Sequence, residues 1–219
     1  MAIYSSSPKP ICFFKVVKNA GRAIQRWIAA YDQQAVLITG AQASTVKQLH
    51  NYLGNPECLT FAVVRNPWDR VFSGYSYLRE ISLGRLSNRV IKPLLGFITP
   101  EYTFENFVDD LPSMDLHWKG SVVGATSQVQ LTQGADIILR YETLNSDFVQ
   151  IQKYLSYYEP LPIINVNNQR RDYHLEYNDR TVKKIAEIFA EDIEQYNYSF
   201  DDLDPWASKP RDLYDFENP

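Results

Sequence analysis

The sequence predicts an α/β fold, a three-layer domain in which helices cover both faces of a central parallel sheet. Three observations carry this. The runs Ile11 to Val17, Leu59 to Val64 and Asp136 to Tyr141 are short and apolar nearly throughout, as strands buried on both faces are. Segments with apolar residues at helical spacing alternate with them, which is the order of strand–helix–strand units. The chain has 219 residues and no repeat, low-complexity tract or linker. Single cores split only beyond roughly 250 residues, so residues 1–219 read as one domain.

Taken in order, Ile11 to Val17 is the first strand and Gly21 to Tyr31 the helix after it, with Ile24, Trp27 and Ile28 on one face. Ser44 to Leu53 reads as a short helix facing inward through Val46, Leu49 and Leu53. Leu59 to Val64, "LTFAVV", is the second strand. It runs into "RNPWDRVFSGYSYL", where Asn66 is an N-cap, Pro67 fits the first helical position, and Trp68, Val71, Phe72 and Tyr75 share a face. That spacing makes Trp68 a core residue rather than a base-stacking one. Gly84 to Pro112 reads as an excursion of the lid or binding-loop kind, with a helix over Phe104 to Asp110. Asp136 to Tyr141, "DIILRY", is the third strand, followed by a helix from Thr143 to Tyr157. A polar loop leads to a last helix over Arg180 to Tyr196, whose Val182, Ile185, Ile188, Phe189 and Ile193 keep the helical period. From Asp201 the acidic, proline-bearing tail, about 201–219, reads as surface chain.

Composition narrows the partners. The formal net charge is −4, so a broad polyanion-binding face is not indicated, nucleic acid is not expected, and any anion site is local. No segment pairs a basic start with an apolar stretch long enough for a signal peptide or a membrane span. A cytoplasmic protein without a membrane partner is the expectation. Cys12 and Cys58 sit in apolar runs without metal-ligand spacing and read as buried free thiols.

Ligands of open parallel sheets bind beyond the carboxyl ends of the strands. Two of the three predicted strands end there in a cation that opens a helix: Lys18 after the first, within "FFKVVKNAGRAI", and Arg65 after the second. The first stretch alone leaves two readings open. It is either an ordinary strand-to-helix turn with Gly21 as its permissive residue, or a phosphate or sulfate site built from helix-start amides and a lysine. The recurrence at Arg65 favours a ligand with two separate anionic groups. The phosphate loop of nucleotide hydrolases is absent, because Lys18 precedes Gly21 and no Lys-Ser or Lys-Thr pair opens the helix. A kinase or conventional nucleotide hydrolase is correspondingly disfavoured.

With these residues in view, the chain resembles the sulfotransferases that use 3′-phosphoadenosine 5′-phosphosulfate (PAPS), in the carbohydrate-sulfotransferase-like branch that includes many small bacterial members. That branch opens with a strand running into Pro-Lys-Thr-Gly/Ala-Gly-Thr-Ser, with which "VKNAGRA", Val17 to Ala23, lines up. Its second signature, Val-Arg-Asn-Pro-aromatic-Asp-Arg followed by Ser and Tyr, stands here as "VRNPWDRVFSGY", Val64 to Tyr75. "LHW" at Leu116 to Trp118, "DIILRYETLNSDF" at Asp136 to Phe148, "LPIINVN" at Leu161 to Asn167 and "VKKIAEIFAEDIEQYNYSF" at Val182 to Phe200 are also similar to the family. The resemblance implies a P-loop-like sulfotransferase fold and transfer of a sulfuryl group from PAPS to a hydroxyl of a small-molecule or carbohydrate acceptor, leaving the bisphosphate PAP. It implies that Lys18 meets the oxygen between phosphate and sulfuryl group. The amides of Asn19, Ala20, Gly21, Arg22 and Ala23 would hold the 5′-phosphate, and Arg65 and Ser73 the 3′-phosphate. No metal is implied.

The departures shape a second reading. Asn19, Arg22 and Ala23 stand where the family has hydroxyl residues; Arg22 either replaces them by charge or points to solvent. Gln42 stands where the family often has a histidine base, and a glutamine amide cannot take the acceptor's proton. The alternative is therefore a module that binds PAP or PAPS with weak or no transfer. His117, beside Trp118, is the first replacement candidate for the base, ahead of His50 and His174. Arg170 and Arg171 either close over the nucleotide's phosphate or form a solvated basic pair.

Overall fold

A computed structural model of the chain describes residues 1–6, 9–40, 43–54, 57–84, 99, 101–113, 126–164 and 172–202. Its strands are β1 (Ala2–Ser5), β2 (Ile11–Phe14), β3 (Val36–Ile38), β4 (Leu59–Val64) and β5 (Ile137–Arg140). They form one sheet in the order β3-β1-β2-β4-β5. The three strands expected from the sequence are its parallel part: Cys12 lies opposite Thr60 and Phe61 opposite Ile137. The sheet as a whole is mixed, because β1 runs antiparallel to both β2 and β3.

The inner strands β2 and β4 are apolar but for Thr60, because each face meets helices. Period-two alternation sends Ile11, Phe13, Phe61, Val63 and Leu139 to one face, where they pack on Ile24, Trp27 and Ile28 of α1 (Gly21–Tyr31). The same cluster takes in Leu144 of α6 (Leu144–Asp147) and Ile151 and Leu155 of α7 (Val149–Leu155). Cys12, Phe14 and Ala62 turn to the other face, against Val46 and Leu49 of α2 (Val46–Tyr52). Val64 starts a third cluster, built from α3 (Pro67–Ser82), α4 (Phe104–Asp110), α8 (Asp179–Ile188) and Phe189. The remaining helices are α5 (Gln128–Thr132) and α9 (Ala190–Tyr196).

Most predicted elements sit where the pattern puts them, and the differences have local causes. Asn66 caps α3 by accepting from the Trp68 N–H at 3.1 Å, with Pro67 in the first turn. The single helix expected over Thr143 to Tyr157 is divided at Phe148, and that over Arg180 to Tyr196 at Phe189 (φ −112°, ψ 28°). Both phenylalanines are buried. The excursion from Gly84 is described only at Gly84, Thr99 and from Glu101, and the tail only at Asp201 and Asp202.

Candidate functional site

The turn from Val17 to Ala20 leaves the sheet at the carboxyl end of β2. Its unusual backbone falls on Lys18 (φ 71°) and Ala20 (φ 55°), not on the glycine. Left-handed conformations cost a non-glycine residue about 1–2 kcal/mol each, so this shape has to be held from outside. Gly21 matters for another reason: a Cβ there would lie 2.5 Å from Cγ and Cε of Lys15, whose stem crosses the first turn of α1.

Two side chains hold the turn. Asn19 is wholly buried and donates through Nδ2 to Val63 O (2.7 Å) and to Gln128 Oε1 (2.8 Å). Its amide is therefore a pin to β4, and contact from Asn19 to a ligand falls to its backbone N–H. Arg65, just past the end of β4, donates through Nη1 to Lys18 O at 2.7 Å. Its Nε and Nη2 form a two-pronged pair with Asp69, at 2.7 and 2.8 Å, and its guanidinium lies 4.0 Å from the ring centre of Tyr141. Burial alone would lower the pKa of Arg65, but Asp69, Tyr141 and Glu142 outweigh it and the pKa is raised. Three of its five N–H groups are thus committed to Asp69 and Lys18, and two have no acceptor among the described residues.

The first half of α3 carries the rest of the site. Asp69, Ser73 and Tyr77 recur every four residues and so share one helix face. Asp69 grips Arg65 at one end of this stripe, and at the other the Lys18 ammonium lies 4.3 Å from the ring centre of Tyr77. Ser73, half-buried between them, makes no hydrogen bond among the described residues. Lys18 and Arg65 are thereby anchored to the same stripe from two strand ends.

The start of α1 is unlike most other helix starts here. Side chains of Thr45, Asn66, Thr103, Ser127 and Asn178 cap α2, α3, α4, α5 and α8. Ahead of α1 stands Ala20, which cannot cap, and the first turn holds no acidic residue. Ala23 N–H and Ile24 N–H donate to Ala20 O at 3.0 and 3.2 Å, and the positive end of the helix dipole faces the Lys18 turn. Arg22, exposed, and Ala23, half-buried, follow in this first turn. Burial, and then the charge of Arg22, lower the pKa of the Lys15 ammonium. Sequence reading missed Lys15, Tyr77 and Tyr141. It also missed Asp69, although its four-residue spacing from Arg65 was a usable signal.

Beneath the turn, Gln128 is a saturated hub. Its Oε1 accepts from Asn19 and from Arg65 N (3.0 Å), and its Nε2 donates to Arg65 O (2.8 Å) and Asp192 Oδ2 (3.2 Å). Asp192, wholly buried, also accepts from Ser127 Oγ and Val129 N and so stabilises the start of α5. Arg70 donates from Nε to Val17 O at 3.4 Å, while its buried Nη1 has no hydrogen-bond partner among the described residues. Burial lowers its pKa to about 10, with Asp192 opposing and Arg65 reinforcing the shift.

The two described histidines are engaged elsewhere. His50 Nε2 meets Thr60 Oγ1 at 2.7 Å, near the amino end of β4 and so at the far end of that strand from Arg65. His174 bridges Asp172 Oδ1 (2.5 Å) and Phe200 O (2.7 Å). Gln42, His117, Arg170 and Arg171 lie outside the described residues. Among the described residues no group of three or more His, Cys, Asp or Glu could hold a metal ion, and no helix is long and apolar enough to cross a membrane. An open surface pocket of about 280 Å³, lined by Lys47, His50, Asn51, Gln133 and Gly134, lies on the amino side of β5, away from Lys18 and Arg65. Comparison with family models, curated proteins and solved structures gave no match.

Proposed function

We propose that this protein is a sulfotransferase that moves the sulfuryl group of PAPS to a hydroxyl of an acceptor, with carbohydrates the first acceptor class to test. One observation carries the reading: an uncapped helix start lies between two basic strand ends that are tied together by the Arg65–Lys18 bond. The amides from Asn19 to Arg22 take the 5′-phosphate, the Ala23 N–H being turned to Ala20 O. The Lys18 ammonium, drawn from the face of Tyr77, meets the bridging oxygen as charge builds on the departing phosphate. Ser73 Oγ and the two uncommitted N–H groups of Arg65 take the 3′-phosphate. Arg65 has a second role here, because its bond to Lys18 O fixes the turn that holds the other phosphate. The acceptor oxygen attacks sulfur in line, the bond from sulfur to the bridging oxygen breaks, and PAP leaves. The acceptor's proton passes to a base for which His117 remains the first candidate.

A second reading, a PAP-binding module without efficient transfer, is favoured by one specific observation. The Asn19 side chain is buried with its amide nitrogen bonded inside the protein, so the turn offers fewer ligand contacts than the family's hydroxyl-bearing version. Thermal shift with PAP and AMP tests the shared part of both readings. PAP at 100 times its dissociation constant raises stability by about 2.7 kcal/mol, AMP does far less, and Ser73→Ala narrows the gap. Equal shifts with the two nucleotides would sink the two-phosphate site. If PAP binds, turnover of PAPS against hydroxyl acceptors separates enzyme from binder.

A further inference from the structure

Arg70 is a buried cation to which sulfotransfer, as set out above, gives no task. It follows Asp69 on α3 and is only 3% exposed. No ion pair reaches it among the described residues, and the carboxylates of this region are engaged elsewhere. Asp69 closes both oxygens on Arg65, while Asp192 accepts from Ser127, Val129 and Gln128. The side-chain bond that Arg70 does make, from Nε to Val17 O, is long at 3.4 Å, and its buried Nη1 has no hydrogen-bond partner among the described residues. The ring of Phe189, centred 5.8 Å from the guanidinium, lies at the outer limit of a cation–π contact. A buried charge so placed destabilises the fold unless something answers it.

What the guanidinium does reach is the turn before α1. Arg70 takes the carbonyl of Val17, and Arg65 takes that of Lys18, the next residue, at 2.7 Å. In a trans peptide unit the N–H points opposite to the C=O. Carbonyls drawn toward the two arginines therefore turn the N–H groups of Lys18 and Asn19 the other way, and the Asn19 N–H donates to no group among the described residues. We propose, on the reading of this turn as a phosphate site, that Arg70 is a positioning residue for the phosphate: it aims the amides through Val17 O, and the bound anion supplies the counter-charge that the fold does not. Arg70 acts through the backbone and through its field, without touching the ligand. In the protein interior such an attraction is stronger than at the surface and little screened by salt. Burial, which lowers the pKa of Arg70 to about 10, reflects the same imbalance.

The test compares the wild type with Arg70→Met, which removes the charge at similar volume, and with Arg70→Lys, which keeps it. Each chain is unfolded in urea with potassium chloride or potassium phosphate at equal ionic strength, and PAP affinity is measured by calorimetry. The general stabilisation by phosphate is common to all three and cancels. In Arg70→Met the chloride midpoint should hold or rise, while the further gain from phosphate disappears and PAP affinity falls about tenfold. A purely structural arginine would instead lose stability and leave affinity unchanged, and that outcome overturns the proposal. Arg70→Lys decides the matter if the methionine variant does not fold. Its buried ammonium loses the proton below the ordinary lysine range, so PAP affinity should match the wild type within about threefold near neutral pH and fall behind it as pH rises. A ratio to wild type that does not change with pH overturns the proposal. Wild-type binding of phosphate but not PAP removes the sulfotransfer reading while the phosphate arm still tests Arg70; binding of neither removes both. Undiminished PAP binding by Arg70→Met removes this inference alone.

Discussion

Arg65 is a charge that the protein cannot lose quietly. With Asp69 it forms a pair in which both side chains are almost fully buried, 4% and 3% exposed. Removing one partner of such a pair costs about 3–5 kcal/mol, because the other is left charged and unpaired. Asp69→Ala is therefore expected to lower stability by that amount, read as a shift in the urea midpoint; a shift below about 1 kcal/mol would mean that water already solvates Arg65. For the same reason Arg65→Ala is a poor probe of phosphate binding, and Ser73→Ala a better one. Glu142 behaves differently. It accepts from the Asn66 N–H at 2.6 Å, yet burial raises its pKa above the usual carboxylate value, with that hydrogen bond and Arg65 only partly opposing. The folded state then holds the proton to higher pH than the unfolded chain, so stability falls as pH rises from the ordinary carboxylate value to the raised one. Glu142→Gln keeps an oxygen for Asn66 and should flatten that slope in urea titrations across the interval. A variant with the slope intact would assign it to another group.

At the scale of elements, the informative contrast is between helices that close their own starts with a side chain and α1, which does not. Asn178 and Thr103 form reciprocal capping boxes, while α1 begins at a left-handed alanine with no side-chain acceptor for its first turn. Replacing that alanine should separate backbone strain from function. Ala20→Gly removes the Cβ clash of the left-handed conformation but loosens the unfolded chain, so a gain of up to about 1 kcal/mol is expected. A loss of stability, measured by urea or heat, would mean that the alanine methyl packs more than its backbone strains. Cap chemistry of this kind was legible in advance: Asn66 and Pro67 announce α3 from sequence alone. The left-handed residues were not, because asparagine and glycine in "KNAGR" attract that assignment while the tertiary bonds from Arg65 and Gln128 impose it on Lys18 and Ala20. The helix breaks at Phe148 and Phe189 were equally hidden, since a continuous apolar period accommodates both residues without a break.

For the molecule as a whole, legibility followed burial. β2, β4 and β5 declare themselves because nearly every residue is apolar, Thr60 and Arg140 excepted. The edge strand β3 exposes Val36 (56%) and Leu37 (47%) and is only three residues long, so its pattern carries little signal. β1 is four residues followed by serines. The candidate site was half legible. Lys18, Arg65 and Ser73 stand in linear motifs, whereas Gln128 reaches the same turn from a distant helix, held there by Asp192, and neither reveals anything until the chain is folded. The strand order carries a kinetic consequence. β4, the middle of the parallel part, takes one partner from Ile11–Phe14 and the other from Ile137–Arg140. Neither pairing is local, and each closes a long loop before it returns any stability, which places the chain among slow folders. Until β5 arrives, β4 presents a bare edge of six apolar or small residues, Leu59 to Val64. A nascent chain stalled before Ile137 would therefore expose a template for strand addition, and it is at that stage of synthesis, rather than after completion, that this protein has most need of a chaperone.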